Sequence, residues 1–146
     1  MQTGKIDHHK VLIANRGEIA MRVMGACRRL GLDFVCVCTA ADRESRHVRL
    51  ARELAGDDAV HTISSYLDAN EIFSVADASQ ATAVHPGYGF FAEDFRFARR
   101  VVRRDRPMEF IGPSWWVIRD LGDKINTKRI ARTLGVPTVP GSDRAI

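Results

Sequence analysis

Long hydrophobic runs are missing from this sequence, and their absence excludes several classes of protein. No apolar stretch approaches the roughly 20 residues that a membrane-spanning helix needs. The first ten residues, MQTGKIDHHK, contain no apolar segment of the kind found in signal peptides, and they are not an Arg- and Ser-rich amphipathic presequence. We therefore expect a cytoplasmic protein without a membrane partner.

Cysteine is also scarce, and the three that occur are Cys27, Cys36 and Cys38. An odd number of cysteines in a chain without a secretory signal argues against a disulfide framework. A zinc site would need more ligands at suitable spacing. Cys36 and Cys38 lie two apart in the apolar run FVCVC, so they share one face of a predicted strand. We predict three buried, inert thiols and no metal site in this chain.

The glycine patterns of the common nucleotide-binding loops are absent as well. The segment KVLIANRGEIAMRV, residues 10–23, runs from an apolar strand through a tight polar turn into a helix. The turn holds one glycine, Gly17, where the dinucleotide fingerprint G-x-G-x-x-G has three. The later segment LGDK does not fit the Walker pattern G-x-x-x-x-G-K-[ST] either. From spacing alone, the first turn is therefore either a phosphate-binding loop of another kind or a turn that has the shape of such a loop and no binding role.

What the sequence does contain is an alternation of short apolar runs with helical patterns. Such alternation predicts βαβ units, and hence an open α/β domain in which helices cover both faces of a parallel sheet. The predicted strands are residues 10–14, 33–39, 58–63, the start of 81–90, and 108–112. The predicted helices are residues 18–30, the later part of 41–55, 66–79, 93–104, and one or two short helices within 114–135, with a possible break at Gly122.

Apolar positions predict the buried face of each helix, and arginines crowd one of these helices. The net charge is +4, and the densest basic run is RFARRVVRRDR, residues 96–106. One interpretation is a nucleic-acid-binding surface; the other, which we favour, is the solvated face of an amphipathic helix, because no nucleic-acid-binding motif accompanies the charge. The predicted inward residues are Ile19, Val23, Met24, Cys27 and Leu30 in the first helix, Val48, Leu50, Ala51 and Leu54 in the second, and Phe97, Ala98, Val101 and Val102 in the arginine-rich helix.

Ligands of open α/β sheets collect beyond the carboxyl ends of the strands, so the loops there are the candidate sites. In the first loop, NRGE, we expect Asn15 to cap the following helix and Gly17 to permit the tight turn. Asp42, after the second strand, could bind the hydroxyl groups of a ribose or could serve as a turn or cap residue, and we favour the cap.

The glycine-rich loop HPGYGFFAED is the second candidate. Gly87 and Gly89 permit a ligand to approach the backbone closely, and Tyr88 stands between them. His85 and Glu93 are candidate acid–base groups. The alternative is a tight connection between a strand and a helix, with ordinary capping and packing roles.

A lysine at a predicted helix start marks the third candidate loop. Lys124 follows Gly122 and Asp123. A lysine ammonium beside a helix N-terminus can meet a phosphate, although a single lysine is more often an ordinary surface residue.

Together these segments resemble the N-terminal domain of biotin carboxylase, the ATP-grasp component of the biotin-dependent carboxylases. The matching strings occur in the family's order over nearly the whole chain: KVLIANRGEIAMRV, ADRESRHVRLA, SYLDANEI, AVHPGYGFFAEDFRFA, FIGPS, LGDK and GVPTVPGS. The pair IANRGEIA and HPGYGF is highly specific, and it makes a carbamoyl-phosphate synthetase an unlikely alternative. The resemblance implies a Rossmann-like sheet over residues 10–140, preceded by a tail (1–9) and followed by the start of a linker (141–146) to an ATP-grasp region.

The resemblance also implies the chemistry. The family uses ATP, Mg²⁺ or Mn²⁺, and bicarbonate to carboxylate biotin held on a carrier domain or protein, and a carboxyltransferase uses the product. By position in the motifs, Lys124 is implied to contact ATP phosphates. His85, Gly87, Tyr88, Gly89 and Glu93 are implied to line the edge of the biotin pocket. The family turn, which we interpret as structural, is formed by Asn15, Arg16, Gly17 and Glu18.

Two departures from the family pattern shape the remaining expectations. The sequence stops at Ile146, where the family enters its ATP-grasp lid, so we expect no catalytic residue within this chain and no activity from it alone. The family often dimerises through its first helix. Relatives commonly carry arginine at the position of Gly25 and an acid at that of Arg29, so the residues present here would remove a salt-bridge partner from that interface. The alternative to an enzyme fragment is a stand-alone, noncatalytic docking module; a nucleic-acid-binding module is least favoured.

Overall fold

Five parallel strands form the centre of the molecule. The computed structural model describes residues 9–140, so the predicted linker and nearly all of the predicted tail lie outside the described residues. The strands pair in the order β3-β2-β1-β4-β5, with Leu12 of the central strand opposite Val35 and Val84. The strands are β1 (Lys10–Ile13), β2 (Asp33–Cys38), β3 (Val60–Thr62), β4 (Ala83–His85) and β5 (Glu109–Phe110).

Helices connect the strands and continue beyond the sheet. The predicted break at Gly122 is confirmed, because that residue separates the last two helices. Within residues 9–140, no helix has the length and apolar character that crossing a membrane requires. The helices are α1 (Gly17–Leu30), α2 (Arg46–Ala55), α3 (Ala69–Ser79), α4 (Phe95–Arg103), α5 (Trp115–Leu121) and α6 (Lys124–Thr133), and short 3₁₀ turns lie at Ala40–Asp42 and Asp57–Ala59.

Side-chain caps and one glycine set the helix ends. Gly31 adopts a left-handed conformation (φ 67°) just after α1, as its position in the sequence predicts. The carboxylate of Asp68 accepts hydrogen bonds from two backbone N–H groups at the start of α3, and Asp94 does the same for α4. Both helices therefore begin later than the apolar pattern predicts.

Alternate strand residues enter two separate cores, which explains why the strands lack polar alternation. Val11 and Ile13 face α1 and α2, whereas Leu12 faces α3 and α4. The predicted α/β fold with helices on both faces is thus confirmed. The three cysteines are buried and unpaired, as predicted, and desolvation raises the pKa of Cys36 to about 12.

Two residues predicted to face inward lie at the surface instead. Leu30 is 69% exposed, because it is the last residue of α1 and the chain turns at the next position. Val102 is 38% exposed. The buried stripe of α4 consists of Phe97, Ala98 and Val101, and Val102 follows about 100° further round the helix, beyond the edge of that stripe.

Candidate functional site

An open cleft of about 540 Å³ lies at the carboxyl end of the sheet, around the loops that follow β1, β2 and β4. In the strand order 3-2-1-4-5, the connections diverge on either side of the central strands, and α/β sheets bind ligands at this point. Seven of the residues singled out in the sequence as candidates for the site or its turn line the cleft: Asn15, Arg16, Gly17, Glu18, Asp42, Tyr88 and Gly89. Its other lining residues are Ile19, Ser45, His47 and Phe90.

Asn15 joins the two motif-bearing loops. Its side chain is 3% exposed, and its Nδ2 donates to the carbonyl oxygens of Pro86 (2.6 Å) and Tyr88 (2.9 Å). Its Oδ1 accepts from the backbone N–H of Arg16 at 2.8 Å. The prediction that Asn15 caps α1 is wrong: the N-cap position belongs to Arg16, which makes no capping hydrogen bond through its side chain. The amide is engaged across the sheet, so it ties the NRGE turn to the glycine-rich loop.

Gly87 permits this connection because it has no side chain. Its φ is +68°, and a Cβ at this position would lie 2.6 Å from Nδ2 of Asn15. The N–H of Gly87 donates to Nδ1 of His85 at 3.0 Å. Burial lowers the pKa of His85, which keeps the imidazole neutral and able to accept this bond at neutral pH. His85 therefore helps to hold the loop in its turn.

Asp42 organises the other side of the cleft. Its carboxylate accepts hydrogen bonds from Arg16 Nη1 (3.2 Å), Thr39 Oγ1 (3.2 Å) and Tyr66 OH (2.9 Å). Burial opposes ionisation of Asp42, but the bonds from Tyr66, Thr39 and Arg16 outweigh it and lower the pKa. The favoured cap interpretation is wrong, because the carboxylate joins three elements instead of capping a helix.

Aromatic rings extend the cleft wall beyond this carboxylate. The ring of Tyr66 stacks on Phe90 with centroids 5.2 Å apart, and the guanidinium of Arg16 lies 5.9 Å from the Tyr66 centroid. Burial and the hydrogen bond to Asp42 raise the pKa of Tyr66, so its hydroxyl remains a donor. Tyr88 is 64% exposed and projects from the glycine-rich loop.

Sequence reasoning missed Tyr66, Phe90, Ser45 and His47 as part of this region. Tyr66 was assigned to a helix, yet it precedes the Asp68 cap and lies in the loop after β3. Its position after a predicted strand was the available signal. His47 is 1% exposed, and its Nδ1 lies 2.7 Å from Ser45 Oγ. Nothing in the helical pattern of that segment indicates this contact.

The remaining predicted residues lie outside the lining of this cleft. Lys124 is exposed at the first position of α6, where Asp123 caps the helix by accepting from the N–H of Asn126. Glu93 is exposed just before α4, and His85 and Gly87 are half-buried and do not line the cleft. Over the described range, no three His, Cys, Asp or Glu side chains are grouped to hold a metal ion.

The order of these motifs agrees with a known family. The model for the biotin carboxylase N-terminal domain matches residues 7–118. The chain belongs to the biotin carboxylase N-terminal domain family. It is 48% identical over 134 residues to the biotin carboxylase of Pseudomonas aeruginosa, a match that covers 92% of this chain and 29% of that enzyme.

Solved structures agree with this assignment. The biotin carboxylase domain of Hydrogenobacter thermophilus 2-oxoglutarate carboxylase, a dimer in complex with MgADP, ADP and bicarbonate, superimposes with a TM-score of 0.80 at 42% identity, covering 92% of this chain and 29% of that one. A complete multifunctional pyruvate carboxylase from Rhizobium etli gives a TM-score of 0.79 at 32% identity, and the match covers 90% of this chain and 13% of that one. The chain thus spans less than a third of these biotin-dependent carboxylases.

Proposed function

We propose that this chain supplies the N-terminal domain of a biotin carboxylase, an ATP-dependent C–N ligase that carboxylates carrier-bound biotin with bicarbonate. The observation that carries the proposal is the cleft in which the NRGE and HPGYGF motifs form one surface through Asn15. Tyr88 is exposed there, and the Arg16 guanidinium is paired with Asp42 yet still half exposed, so both side chains can be reached by a polar ligand. In this role, Tyr88 lies at the edge of the biotin pocket.

Lys124 is the residue proposed to contact ATP. Its ammonium is exposed at the first turn of α6, where backbone N–H groups also favour a phosphate. The ligands of Mg²⁺ would come from a region that completes the enzyme, because residues 9–140 hold no grouped metal ligands. By the same proposal the carrier domain and the carboxyltransferase are partners of the complete enzyme, and the chain alone has no turnover.

A domain exchange tests the proposal. The N-terminal domain of the Pseudomonas aeruginosa biotin carboxylase is replaced by this chain, and ATP hydrolysis that depends on biotin and bicarbonate is measured. We expect a chimera with such activity and none from the isolated chain. A folded chimera without biotin-dependent turnover would contradict the proposal, as would robust turnover by the chain alone.

Within an active chimera, Lys124→Ala should raise the KM for ATP about tenfold, since a charge-assisted bond to phosphate is lost. Lys128→Ala, in the same helix one turn further on, is the matched control. Equal KM values for ATP in the Lys124 variant and the parent chimera would show that Lys124 does not contact ATP.

A further inference from the structure

Helix α4 carries a row of arginines that the proposed function does not use. Arg96, Arg99, Arg100 and Arg103 lie in the helix, and Arg104 is its C-cap residue; the five recur at the spacing of a single helix face, opposite the buried stripe. Together with Phe73 and Phe95 they line an open cleft of about 610 Å³. We refer to these five side chains as the α4 arginine face.

Aromatic rings hold most of the α4 arginine face in place. The guanidinium groups of Arg100 and Arg104 lie 4.7 and 5.0 Å from the ring centroid of Phe73. At the other edge of this face, Arg99 and Arg103 lie 5.2 and 5.4 Å from the centroid of Trp115. A guanidinium that stacks on a ring is restrained, yet it keeps N–H groups along its edge for hydrogen bonds to a planar anion.

The positive charge of this face is largely unbalanced. Arg104 pairs with Asp77, and Arg100 donates to the amide oxygen of Asn70. Among residues 9–140, no carboxylate oxygen lies within 4.0 Å of the guanidinium of Arg96, Arg99, Arg100 or Arg103. Like charges one turn apart disfavour a helix, so an anion on this face would relieve repulsion within α4 as well as gain contacts.

We propose that the α4 arginine face binds an acidic segment of a partner protein, one with several Asp or Glu residues in close succession. With a rise of about 1.5 Å per residue, the row from Arg96 to Arg104 is about 12 Å long and matches about four residues of an extended chain. A duplex nucleic acid would extend well past so short a row, and the rings of Phe73 and Trp115 are stacked on guanidinium groups instead of being open to a base.

This proposal does not depend on the biotin carboxylase role, because the cleft along α4 shares no lining residue with the cleft around the glycine-rich loop. It is tested by titrating the chain into a fluorescent peptide of about ten residues, rich in glutamate, at ~50 mM salt, where surface charges are weakly screened. A peptide with glutamine in place of every glutamate is the neutral control. An oligodeoxythymidine of similar length is the nucleic acid control.

Two variants with the same charge change show where the peptide binds. Arg99→Gln with Arg103→Gln removes two cations from the α4 arginine face, whereas Arg46→Gln with Arg49→Gln removes two exposed cations from α2. We expect the first pair to weaken peptide binding about tenfold or more and the second to change it little. Arg99→Lys with Arg103→Lys should show an intermediate loss, because lysine keeps the charge but not the planar fork.

If an α4 variant unfolds, amide chemical-shift mapping on the wild-type chain locates the peptide-binding surface without any substitution. Shifts concentrated in α4 and α5 would support the proposal. It would be overturned by no binding of the acidic peptide, by equal losses in the two glutamine pairs, by shifts that avoid α4, or by tighter binding of the oligonucleotide through the same arginines.

Discussion

Replacing Asn15 by aspartate tests whether one amide holds the two halves of the candidate site together. The substitution keeps the shape of the side chain but replaces its NH₂ donor by an acceptor. In the structure that donor faces the carbonyl oxygens of Pro86 and Tyr88 at 2.6 and 2.9 Å. After Asn15→Asp, an oxygen would face two oxygens in a position that is 3% exposed.

The expected loss of stability follows from these two contacts. Losing a net hydrogen bond and leaving its buried partner unsatisfied costs about 2 kcal/mol, so two carbonyls give about 4 kcal/mol at neutral pH. Burial and the carbonyl oxygens raise the pKa of the new carboxyl above its unfolded value of about 3.9. The penalty therefore grows as the pH rises from the unfolded pKa to the folded pKa, and it is constant above that. Below the unfolded pKa, where both states are protonated, the group can donate one bond, and the loss falls to about 2 kcal/mol.

Urea unfolding followed by circular dichroism, at about pH 8 and about pH 4.5, measures both effects relative to wild type at the same pH. Asn70→Asp is the matched control: that residue is exposed and its amide oxygen accepts from Arg100, so a carboxylate there is tolerated. The reasoning is refuted if Asn15→Asp is as stable as wild type, or if its loss of stability is the same at both pH values.

Three further predictions concern the same surface and its neighbours. Gly87→Ala should destabilise the fold by about 3 kcal/mol, from its positive φ and the contact with Asn15, and an unchanged urea midpoint would contradict the close approach. Asp42→Asn should lower stability at neutral pH, and the difference from wild type should disappear as the pH falls through the lowered pKa of Asp42; a difference that persists in acid would refute the assignment. If the family interface is latent, the double variant Gly25→Arg with Arg29→Glu should form dimers, which light scattering detects. The new arginine has room, since a Cβ on Gly25 would meet only the end of the Arg29 side chain, at 3.6 Å. A molar mass that stays monomeric would contradict a latent interface.

The order of the elements and the family could be predicted from the sequence because both depend on local patterns. Apolar runs bounded by turns marked the five strands, and Gly31 and Gly122 marked helix ends. The predicted helix starts were less accurate. An aspartate that caps a helix near the start of an apolar pattern is hard to distinguish, from sequence, from an aspartate in the first turn. Asp68 and Asp94 both moved a boundary in this way.

The sequence by itself determined the fold class and the NRGE and HPGYGF motifs. Helical periodicity, short β-branched runs and motif strings are all properties of residues that are neighbours in the chain. Only the tertiary structure decided what the polar side chains between those elements do. Asn15 and Asp42 both suit a cap by residue type, yet each bonds to loops far along the chain. The parallel sheet sets which loops lie side by side, and that neighbourhood, absent from any local pattern, fixes their partners.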